Sequence, residues 1–122
     1  IYEREPEVLS KVESEQEYWE AIHRGMRGVV TDPAAGSAYF TFLTSPYTVA
    51  AKTGTAESTA GASANGAFVC FAPADDPQIA IAIYGEKAGH GGDLAPVAKA
   101  ILDVYFEVGE AKDITTHENK PS

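Results

Sequence analysis

The sequence has 122 residues, the length of one domain or of a piece of one. Hydrophobic residues make up 44% and charged residues 22%, which excludes a wholly disordered chain. Acidic residues outnumber basic ones 18 to 9, and the formal net charge of −9 argues against nucleic acid as a partner. The single cysteine, Cys70, excludes an internal disulfide and a cysteine-based metal cluster.

The first predicted element is a helix over about residues 14–28. Ser14 followed by Glu17 fits a capping box, which would satisfy free amides at the helix start. Asp32 and the proline after it end the element. Its apolar stripe recurs at helical spacing and comprises Tyr18, Ile22 and Met26.

Three strands follow at about residues 47–56, 67–72 and 78–85, after a shorter extended piece from Ala38 to Leu43. Polar and proline-rich connections of hairpin length predict that the three strands form an antiparallel meander. The second and third strands are apolar runs without alternation, which predicts cover on both faces of the sheet.

A second helix is predicted over about residues 94–108, followed by a polar tail over 109–122. The predicted fold class is therefore α+β, an antiparallel three-strand meander covered by helices on both faces. A sheet this apolar needs more neighbours than the chain supplies. Residues 1–108 are therefore expected to form one portion of a larger domain.

One motif carries chemistry, Lys52-Thr53-Gly54-Thr55 at the end of a predicted strand. A lysine and two hydroxyls around a glycine suit an anionic group, because glycine lets a ligand approach the backbone. Taken alone, the motif also fits a strand end with a glycine bulge. A phosphate-binding loop is excluded, because the residues before the lysine lack both glycines that such a loop requires.

The histidines have no partner at metal-ligand spacing, so we expect no metal and no other cofactor. A solvated or packing role is expected for all three, namely His23, His90 and His117. The glycine-rich loop around His90 is the one place where a histidine could shape a site.

Several sequence blocks stand in a particular order: AAKTGTAE, a small polar loop, NGAFVCFAPADDPQIAIAIYGE, a glycine loop and an amphipathic helix ending ILDVYF. In this order they resemble the C-terminal part of the transpeptidase domain of class B penicillin-binding proteins. They are most similar to the elongation-type enzymes of Gram-positive bacteria. The upstream helix EYWEAIHRGMRGVV also matches, so the resemblance covers about residues 13–108.

The resemblance implies a site where a serine in Ser-x-x-Lys, a Ser-x-Asn motif and Lys-Thr-Gly surround one cleft. The implied reaction is acyl transfer from the D-Ala-D-Ala end of a peptidoglycan stem peptide, which β-lactams imitate. Lys52 would supply positive charge near the serine, and Gly54 would let the substrate lie against the strand. The Thr53 and Thr55 hydroxyls would bind the substrate carboxylate, and the Thr55 backbone amide would be one oxyanion donor.

The sequence departs from the family pattern, because no serine has lysine three positions on. Ser63-Ala64-Asn65 reads Ser-x-Asn but follows the lysine motif instead of preceding it, so we interpret it as coincidence. We expect the chain alone to be inactive and an upstream fragment of the same domain to supply the serine. The resemblance also implies an extracytoplasmic site at the bacterial membrane, because members of the family are held there by an N-terminal anchor. We expect this sequence, which opens on Ile1, to lack that anchor.

Two alternatives stay open at this point. A β-lactam-sensing receptor domain would share the site architecture but use acylation as a signal. A non-catalytic binding module would keep the fold without the serine. A serine β-lactamase fits less well, because rapid deacylation needs a positioned base in a region outside this sequence.

Overall fold

The computed structural model describes residues 3–57 and 59–108. Helices α1, α2 and α3 are Gln16–Thr31, Tyr39–Phe42 and Ala95–Tyr105. Strands β1, β2 and β3 are Ala50–Ala56, Asn65–Ala72 and Ile79–Gly85. A short 3₁₀ turn, Gly91–Leu94, leads directly into α3.

The three strands form one antiparallel sheet in the order β1-β2-β3, which confirms the predicted meander. Cys70 in the central strand lies between Ala51 of β1 and Ile81 of β3. Because side chains alternate along a strand, Phe68 and Cys70 point to one face of the sheet. Val69 and Phe71, between and beyond them, point to the other face.

The hydrophobic core lies on the Cys70 face, where α3 covers the sheet. Pro96 in the first turn of α3 is compatible with a helix start, because the first amides have no helical partner. The helix then buries a stripe of small and branched side chains against the sheet, with Leu102 0% exposed. This stripe comprises Ala95, Ala98 and Leu102.

The opposite face of the sheet is covered only in part. The His23 ring of α1 lies 5.5 Å from the Phe71 ring, so α1 reaches this face and helices lie on both faces as predicted. Burial nevertheless alternates along β2 and β3, whereas their unbroken apolar sequences predicted even cover. Val69 is 41% exposed and Tyr84 is 68% exposed, because α1 packs mainly against β1.

Two local predictions are wrong. The N-cap of α1 is Glu15 and makes no side-chain capping bond, so the capping box at Ser14 does not form. The segment from Ala38 to Leu43 contains the helical turn α2 and not an extended piece. The helical turn buries Phe42, whose ring stacks 6.4 Å from that of Phe68, and this burial outweighs the β propensity of the segment.

The predicted element boundaries differ slightly from those observed. Helix α1 begins two residues after its predicted start and continues to Thr31, because Gly25 and Gly28 do not interrupt it. Strand β1 begins at Ala50, three residues later than predicted. The predicted polar tail, residues 109–122, lies outside the described residues.

Candidate active site

The Lys-Thr-Gly motif lies within β1 and opposite the first half of β2. Thr53 faces Phe68 across the sheet, and Thr55 faces Gly66. The alternation of side chains places both threonines on the same face and Lys52 on the other. Strand β1 pairs only with β2 in the described part of the chain, so its outer edge faces no other strand.

Thr53 and Thr55 line a cleft with a volume of about 560 Å³. Hydroxyls and the backbone of the glycine-rich loop dominate its walls, and among the described residues that line it one carries a carboxylate. The remaining lining residues are Ser37, Thr41, His90, Gly91, Gly92, Asp93 and Pro96. Such a lining offers several hydrogen-bond donors at close range and can bind an anionic group.

The glycine-rich loop packs directly onto the motif. The backbone amide of Gly91 donates a hydrogen bond to Thr55 Oγ1 at 3.2 Å. A Cβ at Gly91 would overlap the carbonyl oxygens of Gly54 and Ala67, so only glycine permits this approach. The sequence indicated a site-shaping loop here but not that Gly91 contacts the motif.

The same loop is closed by hydrogen bonds across the start of the 3₁₀ turn. The His90 amide donates to Asp93 Oδ2 at 3.1 Å, and the Asp93 amide donates to the His90 carbonyl at 2.9 Å. The first of these bonds holds the Asp93 carboxylate against the loop backbone. His90 therefore lies at the cleft, where its place in the glycine-rich sequence indicated a role in shaping a site.

Ser37 is a cleft residue that the sequence did not single out. Its Oγ lies 3.0 Å from Thr53 Oγ1, and either hydroxyl can donate. A tight turn after α1 places it there, because Asp32 Oδ1 accepts the amides of Ala34 and Ala35 at 2.8 and 3.1 Å. The Asp-Pro sequence indicates this turn, but only the fold brings it beside β1.

Lys52 lies on the opposite face of β1 from the two threonines. Its side chain is exposed, and Nζ donates to the backbone carbonyl of Thr53. None of the ion pairs found in residues 3–57 and 59–108 includes Lys52. Lys52 therefore lies on the edge strand of the sheet as a cation, and no carboxylate of the described residues forms an ion pair with it.

The Ser-x-Asn sequence after the motif has a structural place of its own. Ser63 is exposed in the loop between β1 and β2. Asn65 begins β2, and its Oδ1 accepts the backbone amide of Lys87 at 2.9 Å. This hydrogen bond ties the loop after β3 to the sheet.

A charged network fixes α3 to the segment that enters β1. Tyr47 donates from its hydroxyl to Asp103 Oδ1 at 2.7 Å, and Lys99 Nζ donates to Oδ2 at 2.6 Å. Burial raises the pKa of Tyr47, and the hydrogen bond to Asp103 raises it further. Burial alone would raise the pKa of Asp103, but the hydrogen bonds from Lys99 and Tyr47 outweigh it and lower that pKa.

The other titratable candidates take packing positions. Burial in the sheet raises the pKa of the Cys70 thiol to about 11, so the thiol stays protonated at neutral pH. His23 packs on Phe71, and His117 lies outside the described residues. Within residues 3–57 and 59–108, no group of three or more His, Cys, Asp and Glu side chains is arranged so that it could hold a metal ion. No helix in this part of the chain is both long and apolar enough to cross a bilayer.

The fold and the motif on its edge strand can be compared with known proteins. Residues 2–103 match the family described as the penicillin binding protein transpeptidase domain. This match assigns the chain to the class of the penicillin-binding proteins. The chain belongs to the transpeptidase domain family of that class, and the resemblance found in the sequence is confirmed.

Similar curated proteins come from Bacillus subtilis and Escherichia coli. The chain is 32% identical over 123 residues to penicillin-binding protein 2A of Bacillus subtilis, covering 89% of this chain and 17% of that protein. It is 35% identical over 101 residues to the peptidoglycan D,D-transpeptidase MrdA of Escherichia coli, covering 70% of this chain and 16% of that protein. The chain thus spans about a sixth of the length of these relatives.

Solved structures share the fold. Pseudomonas aeruginosa PBP2 in complex with WCK 5153 has a TM-score of 0.71 at 34% identity, covering 83% of this chain and 22% of that one. Helicobacter pylori PBP2 in complex with MreC has a TM-score of 0.62 at 28% identity, covering 74% and 17%. These matches support the α+β assignment and the likeness to the elongation-type proteins.

Proposed function

We propose that this chain is the C-terminal portion of a D,D-transpeptidase that crosslinks peptidoglycan stem peptides by serine acyl transfer. The observation that carries this proposal is the geometry of β1, which presents two threonine hydroxyls to one cleft and a lysine at the strand edge. The naming of relatives as peptidoglycan D,D-transpeptidases supports the choice of substrate. β-Lactams would bind the same cleft as mimics of the D-Ala-D-Ala end.

Substrate binding is assigned to the edge strand and its hydroxyls. The Thr53 and Thr55 hydroxyls would donate to the terminal carboxylate of the stem peptide. Gly54 presents no side chain, so an extended peptide could lie along the outer edge of β1 as an added strand. The hydrogen bond from Gly91 to Thr55 Oγ1 leaves the Thr55 proton available for such a ligand.

The chemical step is assigned to two groups of the motif. The Thr55 backbone amide would be one of two donors to the developing oxyanion, which contributes about 3 kcal/mol of transition-state stabilisation in comparable sites. Lys52 leaves β1 on the face opposite the two threonines, so it would place positive charge beside a serine that the upstream part brings to that side of the strand and would favour its deprotonation. Neither group is the proposed nucleophile, and we assign the acyl bond to a serine in the upstream part of the domain.

The upstream part of the same domain is the proposed partner that carries this serine. The sheet face with Val69 and Phe71 has an open apolar groove of about 300 Å³, which Met26 also lines. Burying such a surface is favourable, at roughly 25 cal/mol per Å² of apolar area. Because the chain spans only about a sixth of its relatives, those proteins have the length to supply the cover.

We expect the isolated chain to unfold without a sharp transition or to aggregate, because within residues 3–57 and 59–108 the Val69 face of the sheet is covered only in part and no strand pairs with the outer edge of β3. Thermal unfolding followed by circular dichroism, combined with size-exclusion chromatography, measures this directly. Co-expression of the upstream part should restore a cooperative transition. A cooperative melt of the monomeric chain alone would contradict the proposed cover.

Intact-mass analysis of the whole purified protein after incubation with a penicillin tests the proposed function. We expect one adduct, and peptide mapping should place it on a serine upstream of this chain. An adduct on Ser63 would overturn the assignment of the nucleophile to the upstream part. Absence of any adduct would favour the non-catalytic binding module. A stable adduct in a protein unable to crosslink stem peptides would favour the receptor.

Because peptidoglycan is crosslinked outside the cytoplasmic membrane, the proposed site faces the extracytoplasmic side. The parent protein would be held there by an N-terminal anchor, and this portion would meet the membrane only through it. Labelling of intact cells with a penicillin that does not cross the membrane would test this position. The parent protein should be labelled before the cells are opened.

A further inference from the structure

We propose that Ser37 is a positioning residue that fixes the direction of the Thr53 hydroxyl proton for binding a carboxylate. The inference rests on the proposed function, which assigns a carboxylate to the cleft. Its basis is the contact between Ser37 Oγ and Thr53 Oγ1 at 3.0 Å. Ser37 and Thr53 both line the same cleft, so the hydrogen bond and a bound ligand would share the Thr53 hydroxyl.

The neighbouring threonine shows how such positioning works. The Gly91 amide can only donate, so Thr55 Oγ1 accepts this bond at 3.2 Å. A hydroxyl has one proton and two lone pairs, so the Thr55 proton remains free for a ligand. When Ser37 donates to Thr53, the Thr53 hydroxyl likewise accepts one hydrogen bond and keeps its own proton free for a ligand. The two threonine protons can then serve one anion together.

A bound anion would select this direction. A carboxylate only accepts hydrogen bonds, so Thr53 must donate to it and must itself accept from Ser37. The resulting chain runs from Ser37 through Thr53 to the carboxylate, and successive hydrogen bonds of this kind polarise one another. Without Ser37, the Thr53 hydroxyl would lose its donor and its fixed orientation.

The charges around the cleft increase the importance of this orientation. Among the described residues, those that line the cleft include neither lysine nor arginine. The Asp93 carboxylate opposes an anion, although the His90 amide holds its Oδ2 at 3.1 Å. Within the described part of the chain, recognition of a carboxylate therefore relies on neutral donors, among them the Thr53 and Thr55 hydroxyls, whose protons must point toward it.

Ser37 is also held in place by its neighbours. The Gly36 amide donates to the Asp32 carbonyl at 2.9 Å, and the Ala38 amide donates to the Val29 carbonyl at 3.0 Å. Ala38 is buried in the core. The backbone on both sides of Ser37 is thus fixed, and a rotation of the segment would break these bonds.

The test compares acylation of the full-length protein by benzylpenicillin and by its methyl ester, which lacks the negative charge. Ser37→Ala should lower the second-order acylation rate for benzylpenicillin about fivefold, the loss of one ordinary hydrogen bond, and lower the ester rate clearly less, because a neutral ester carbonyl accepts a weaker hydrogen bond than a carboxylate. Ser37→Thr keeps the hydroxyl and should restore the rate. The double variant Ser37→Ala with Thr53→Ala should be no slower than Thr53→Ala alone.

Each other outcome has a definite meaning. An equal loss with the acid and the ester would overturn the inference, because a structural role would affect both. Additive losses in the double variant would also overturn it, because Ser37 would then contact the ligand directly. A wild-type protein that neither penicillin acylates would overturn the proposed function and this inference with it. Normal acylation with unchanged selectivity in Ser37→Ala would overturn the inference alone.

Discussion

The two ends of β1 differ sharply although they belong to one seven-residue strand. Its first two residues, Ala50 and Ala51, are 1% and 0% exposed and form part of the core. The following residues, from Lys52 onwards, are half-buried or exposed and carry the proposed chemistry. A strand held at one end by packing can present the other end to a ligand with little loss of order.

This difference indicates that the residues of β1 that stabilise the fold and the residues that carry the proposed function occupy opposite ends of the strand. Changes at the core end should affect the free energy of unfolding, whereas changes at the exposed end should affect acylation. The glycine-rich loop lies between these extremes, because it packs on the strand and also lines the cleft.

The largest effect is expected at the exposed end. Lys52→Ala in the full-length protein should slow acylation by benzylpenicillin about 100- to 1,000-fold, the typical loss when one group that stabilises developing charge is removed. Stopped-flow measurement with a fluorescent penicillin would determine the rate. The melting temperature should stay unchanged, since Lys52 is exposed. Lys11→Ala is a matched control with an exposed lysine outside the sheet, and a similar loss there would contradict the assignment.

A large loss of stability is expected where α3 covers the core end. Leu102→Ala removes a fully buried side chain and should lower the free energy of unfolding by about 3 kcal/mol, from lost burial and a residual cavity. Urea denaturation of the full-length protein would measure it. Val104→Ala, on the exposed side of the same helix, is the control and should cost much less. Equal losses would show that α3 does not bury the Leu102 face.

An intermediate effect is expected at the glycine-rich loop. Gly91→Ala forces a Cβ against the backbone of both β1 and β2, so the loop must move and Thr55 loses its donor. The acylation rate should fall about tenfold, which corresponds to about 1.4 kcal/mol. Gly25→Ala is the control, because a Cβ there meets open space and alanine favours a helix. An unchanged rate in Gly91→Ala would show that the loop does not position Thr55.

The core end of the molecule could be predicted from the sequence better than the site. Apolar runs and short connections sufficed for the meander, because these signals are local. The helical turn at Phe42 was missed, since its conformation follows from burial against Phe68. The sequence did not indicate that Ser37 and Gly91 contact the motif, because each is distant from its partner along the chain. Ser37 lies 16 residues from Thr53, and Gly91 lies 36 residues from Thr55. Local patterns carry no information on such contacts.

The smallest effect is expected from the network that fixes α3 to the entry of β1, and it should depend on pH. The pKa of Asp103 is lowered in the folded protein. Its ionised carboxylate therefore stabilises the fold at pH values above the pKa of about 3.9 that it has in the unfolded chain, and this stabilisation is lost as the pH falls through its pKa in the folded protein. Tyr47→Phe removes one of the hydrogen bonds that lower this pKa. It should cost about 1 kcal/mol at pH 7 and progressively less as Asp103 becomes protonated below pH ~4. Urea denaturation of both proteins at a series of pH values would measure the difference. Phenylalanine keeps the ring that stacks on Phe106, so a constant difference down to the lowest pH would show that the contact of the Tyr47 hydroxyl with the Lys99 carbonyl at 3.5 Å, and not the carboxylate, accounts for the loss.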